Sequence, residues 1–177
     1  EYERLRRGAE TYREDLVVAL AGRVGLGPSE LTRIRPADLH ERERDGETVH
    51  LLSVPEGDGD AREAYVPPGV AHDLRKYANA NDVGERDPYV DVSPRRVQML
   101  VSDVSDRTDG LEDVTCRELR KHFARRLLVE EDVDPQVVQA VGGWKSLESL
   151  APYLNAPTTA DIVDAFADRD EGDSRRR

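Results

Sequence analysis

Arg117, Arg120, Trp144 and Tyr153 are the residues of this sequence whose types and spacing can do chemistry together. They lie in RELRKHFARRLL (117–128), at the end of DPQVVQAVGGW (134–144), and at a tyrosine nine residues past the tryptophan. A basic helix, an indole at a helix end and a phenol just beyond it can surround one phosphate diester. Arginine suits that task because its planar guanidinium grips two oxygens at once, which an ammonium does not. The indole N–H donates one hydrogen bond. A phenol at neutral pH is a weak nucleophile and needs activation or a positive environment. Each residue also has a plainer reading. Tyr153 can be an ordinary half-buried ring, Arg120 a structural partner for a carboxylate, and Trp144 a packing anchor.

Five bases, Arg117, Arg120, Lys121, Arg125 and Arg126, fall within ten residues. In an acidic chain that concentration favours a binding face over a merely solvated helix. Arg95 and Arg96, just after a helix start, are a second candidate for backbone contacts. His40, His50, His72 and His122 show no metal-ligand spacing with one another. Asp58 and Asp60 suit a turn better than a calcium loop. Cys116 stands alone, so the chain has no internal disulfide and no cysteine metal cluster. Neither metal nor cofactor is expected.

The chain has 177 residues, enough for one domain with a sizeable core or two small ones. Apolar residues make up 37% and the formal charge is −11. Among the bases only Lys76, Lys121 and Lys145 are lysines. Acidity with so little lysine points to adaptation to high salt, and so to a halophilic archaeon; the plainer alternative is a mesophilic acidic protein. A carboxylate-rich surface stays soluble there, and salt screens its self-repulsion. No apolar run is long enough to span a membrane and no signal peptide opens the chain, so a cytoplasmic protein is expected. The sequence begins inside a helical pattern, which reads as a piece of something longer.

The elements that must position these residues are mostly helices. Residues 2–22 read as one long helix or two, ended by Gly25 and Gly27. Pro28 opens a short helix that runs to about Arg35 and stops before Pro36. Residues 48–54 and 62–66 read as strands joined by PEGDGDA, a hairpin. Further helices are expected from Pro67-Pro68 to Ala80, over 94–105 with Ser93 as cap, and over 116–129. Asp134 and Pro135 open another, and Gly142-Gly143 stops it. A last helix over 158–168 carries Ile162, Val163 and Phe166 on one side, before a polar tail over 169–177.

In this order the motifs resemble the catalytic domain of the tyrosine recombinase (phage integrase) family. GLGPSELTRIRPADL resembles its first box, CRELRKHFARRLL its second, and VVQAVGGWKSLESLAPYL its third. SPRRVQMLV matches the helix before the second box. The resemblance covers roughly residues 10–167. It implies one mainly α catalytic domain over 1–168 with a small antiparallel β-hairpin. It also implies DNA recombination and integration through a covalent 3′-phosphotyrosine, without metal or ATP. The family clamps DNA with a second, upstream domain, and it docks its C-terminal segment on a neighbouring protomer.

Carried over residue by residue, Tyr153 matches the nucleophile and Arg120 the second-box arginine. Trp144 stands at the His/Trp position, and Arg117 where that box has histidine. The first-box arginine position is Gly27, and the hairpin has no lysine; Arg62 is its only base. Losing one preorganised donor to a transition-state oxyanion costs about 3–4 kcal/mol, roughly 10²–10³ in rate. Arg23, one turn before Gly27, is a candidate to swing into the gap. Three functions therefore stay open: a strand-transferring recombinase, a non-catalytic DNA-binding regulator, and an acidic protein-interaction module.

Overall fold

The computed structural model describes residues 1–55 and 61–173, so Asp58 and Asp60 lie outside the described residues. The N-terminal pattern divides into α1 (Tyr2–Arg7) and α2 (Tyr12–Ala19). The split falls where Thr11 starts a reciprocal capping box. Its side chain accepts from the Glu14 N–H at 3.2 Å, and the Glu14 carboxylate accepts from the Thr11 N–H at 3.2 Å. Burial alone would raise the Glu14 pKa, but an ion pair with Arg107 at 2.8 Å and the Glu10 and Thr11 N–H groups hold it below the usual range. This pair ties the start of α2 to the end of a later helix.

Helix α2 continues into a π-helical turn, Leu20–Val24, which ends at Gly25. Gly25 has φ +78°, and a Cβ there would lie 2.4 Å from the Phe123 ring. Glycine alone meets both demands. Helix α3 (Pro28–Leu31) is a turn shorter than expected. Ile34 has to turn inward, where it is fully buried, and Arg35 before Pro36 is extended at φ −129°.

The sheet has one more strand than the expected hairpin. Strands β1 (Leu39–Arg44), β2 (Glu47–Val54) and β3 (Arg62–Val66) pair antiparallel in the order β1-β2-β3. The turn between β1 and β2 is Asp45-Gly46, with φ of 55° and 83°, the left-handed pair that a two-residue hairpin turn requires. Leu52 and Val54 of β2 and Ala64 and Val66 of β3 face the core at period two.

Helices α4 (Pro68–Ala80) and α5 (Pro94–Asp106) follow, α5 capped by Ser93. Helix α6 (Cys116–Arg125), capped by Thr115, runs into a π-helical turn, Arg126–Glu130. In α7 (Pro135–Gly142) the Asp134 side chain caps the start and left-handed Gly143 ends the helix. A 3₁₀ segment, Leu147–Tyr153, leads to α8 (Thr159–Asp173), which continues five residues beyond the expected end at 168. The fold is mainly α with a small antiparallel sheet.

Two apolar clusters hold it together. The larger joins α1, α2, β2, β3, α4 and α5, with Leu119 of α6. The smaller is Phe123, Ala124, Leu127, Leu128, Val138 and Leu150, with Val141, Trp144 and Tyr153 packed against it. Helix α6 contributes to both, so its buried edge fixes the second cluster against the first. Among the described residues no helix is long and apolar enough to cross a membrane.

Candidate anion-binding site

Arg120 sits where the two clusters meet. One guanidinium nitrogen donates to the Gly25 carbonyl at 2.5 Å and another to the Gly142 carbonyl at 2.7 Å. The carbon of the guanidinium lies 4.2 Å from the centre of the Trp144 ring, a cation–π stack. No carboxylate pairs with it among the described residues. A guanidinium has five N–H donors, so donors remain for an anion. Burial pushes the Arg120 pKa down; Glu30 opposes this, Arg62 adds to it, and Tyr153 opposes it. A half-buried cation held by neutral carbonyls keeps its full charge for a ligand.

The rest of the site is built around that group. Trp144 stacks on Phe123 at 6.2 Å and 14°, and meets Tyr153 at 6.3 Å with rings tilted by 55°. Arg120, Trp144 and Tyr153 thus form a chain of contacts, which α6, the end of α7 and the end of the 3₁₀ segment deliver together. Tyr153 is half-buried, and its hydroxyl makes no hydrogen bond among the described residues. Among the described residues no histidine or carboxylate hydrogen-bonds to it.

Arg62 reaches the same place from the sheet. Its guanidinium pairs with the Glu30 carboxylate at 3.0 Å, and the same Glu30 oxygen accepts from the Gly27 N–H at 2.8 Å. Gly143, at φ +70°, makes room for it: a Cβ there would lie 2.2 Å from the Arg62 Nε. The alternation of β3 carried the signal, since Arg62 shares the inward face of Ala64 and Val66. Arg23 does not fill the gap at Gly27. It pairs with Glu3 at 2.8 Å and lies over the Tyr2 ring at 4.9 Å.

The other expected bases separate. Arg117 is exposed and lines a groove with Arg95, Gln98, Met99 and Ser102. Lys121 and Arg125 line a different groove, against α1, and Lys121 pairs with Glu118 at 2.7 Å. Arg96 is exposed and pairs with Asp103 at 3.5 Å. Arg126 leaves the expected face altogether. Nine residues at roughly 100° each turn it to the side of the helix opposite Arg117. There it is buried, ion-paired with Glu131, and donates to the Arg23 carbonyl at 3.2 Å.

His122 also faces away from the site, stacked on Tyr2 at 4.9 Å and 9°. Burial pushes its pKa down, and Arg126 and Arg23 add to that.

No protein-family model matches the sequence, and the search of curated proteins gives no match. Solved structures do match. XerA recombinase aligns over 95% of this chain and 61% of its own, with TM-score 0.72 and 17% identity. XerH site-specific recombinase, bound to its difH substrate before cleavage, aligns over 94% of this chain and 52% of its own, with TM-score 0.73 and 16% identity. The Tn1549 transposon integrase in complex with transposon right end DNA aligns over 94% and 63%, with TM-score 0.66 and 14% identity. The fold is that of a tyrosine recombinase catalytic domain, and the chain spans about half to two thirds of these proteins.

Proposed function

We propose that this chain holds double-stranded DNA by its phosphates, as an integrase-type or recombinase-type domain working in the cytoplasm, with Arg120 as the central contact. The observation that carries the reading is the Arg120 guanidinium, half-buried beside Trp144 and Tyr153, with two carbonyls and, among the described residues, no carboxylate as its partners. Arg117 and Arg95, sharing one groove, and Arg125 in another add exposed positive charge elsewhere on the surface. A phosphate diester offers the charge and the two oxygens that the remaining donors can take.

The direct test is binding of a labelled DNA duplex. Arg120→Ala should weaken it about ten- to hundred-fold, the range for hydrogen bonds to charged groups. Unchanged affinity would refute the reading.

Strand transfer is the second reading, and the nearness of Tyr153 to Arg120 favours it. In that step the Tyr153 phenol gives up its proton to water as its oxygen bonds to phosphorus, the bond to the 5′-oxygen breaks, and that oxygen takes a proton from water. Arg62 is a poor source for that proton, because a guanidinium stays charged. Incubation with a nicked suicide duplex tests the step: a covalent adduct that Tyr153→Phe abolishes would establish it.

Carboxylates paired with Lys121, Arg96 and Arg126 favour a third use, as a protein-interaction surface. The exposed Ile162, Val163 and Phe166 of α8 support assembly of copies on DNA through this helix.

A further inference from the structure

We infer that Arg62, delivered by the sheet, is the second phosphate-holding arginine of this site, standing in for the side chain that Gly27 lacks. The inference rests on the phosphate-binding reading above and names a residue which that reading does not require.

Four observations converge on it. First, Glu30 holds the Arg62 guanidinium at 3.0 Å while binding the Gly27 N–H at 2.8 Å with the same oxygen. The charge that α3 does not supply is therefore anchored one carboxylate away from position 27. Second, Gly143 closes against Arg62, with no space for a Cβ, so the end of α7 is shaped around this side chain. Third, Arg62 and Arg120 are near enough for their charges to repel. Fourth, Arg62 lines a hollow of about 410 Å³ together with Gln136, Gln139, Lys145 and Trp144; Arg120 does not line it but stacks on the Trp144 ring.

Holding two guanidinium groups close together in a half-buried site is unfavourable on its own, because like charges there are poorly screened. An anion between them removes that penalty, and the two non-bridging oxygens of a phosphate diester can each take a guanidinium. Glu30 then has a second effect. Besides positioning Arg62, it competes with the anion for it. Removing the Arg62 charge and removing the Glu30 charge should therefore act in opposite directions. A purely structural ion pair predicts the same direction for both.

Trp144 is the only tryptophan of the chain and touches this hollow, so its fluorescence reports on occupancy. The experiment titrates the full chain with a dinucleotide phosphodiester and follows that signal. Circular dichroism confirms that each variant is folded. Arg62→Met should weaken the phosphodiester about ten-fold, Arg62→Lys should recover part of the loss, and Glu30→Gln should tighten binding. If Arg62→Met titrates like the parent while Arg120→Ala does not respond, this inference is overturned and the phosphate-binding reading stands. If Glu30→Gln weakens binding as much as Arg62→Met, the pair is structural and the inference is likewise overturned. If the parent chain does not respond, both fall.

Discussion

Arg120 is held firmly while no carboxylate pairs with it among the described residues. Its carbonyl partners at Gly25 and Gly142 fix its position without neutralising it. The Gly25 partner depends on a glycine. Gly25→Ala forces a left-handed backbone and pushes a methyl group onto Phe123, which should cost about 2–4 kcal/mol of stability. Chemical denaturation measures that loss directly. Cys116 supplies a control at the same scale. Burial pushes its thiol up to about 11, so it should alkylate slowly at neutral pH while the chain is folded and rapidly once unfolded. The residues of the site were legible unequally. The types and spacing of Arg120, Trp144 and Tyr153 predicted that they would meet, and they do. Arg126 misled because five bases close together in sequence cannot all share one helix face. The pairing of Arg62 with Glu30 joins residues 32 apart, and only the inward alternation of β3 hinted at it.

Among the elements, the helices were the easier reading, because their caps and prolines are local signals. Ser93-Pro94 and Asp134-Pro135 start helices as expected. Strand β1 was missed because its sequence, LHERER, is charged and mostly exposed, so it shows no apolar alternation. The Asp45-Gly46 turn was the available cue. The packing of α1 on α6 carries a pH dependence. His122 is neutral by preference in the fold, between Tyr2, Arg23 and Arg126, with Glu130 the carboxylate that opposes them. Its folded pKa lies below the unfolded one, so the unfolded chain takes the proton first. Stability should be full above about pH 6.5 and fall as the pH drops below it. Melting temperatures across that range test this, and His122→Phe should flatten the acid limb. Helix α8 leaves Ile162, Val163 and Phe166 exposed, where the sequence suggested only that they share a side. If copies assemble on DNA through this helix, as proposed above, replacing Ile162 and Val163 with serine should leave the melting temperature unchanged and reduce that assembly, and unchanged light scattering would count against it.

For the whole molecule the governing quantity is the charge of −11. Carboxylates repel one another at low ionic strength, so the melting temperature should rise as salt is added and the repulsion is screened. Phosphate contacts respond in the opposite sense, because salt competes with counterion release. A positive site in a negative molecule therefore works over a limited range of salt, and the bases near it have to act locally. The most direct test is the affinity for a DNA duplex measured against salt concentration, for the parent chain and for Arg120→Ala. A phosphate contact at Arg120 predicts an affinity about ten-fold lower or more, and a log–log slope shallower by about one unit. Equal affinity and equal slope for the two proteins would contradict it.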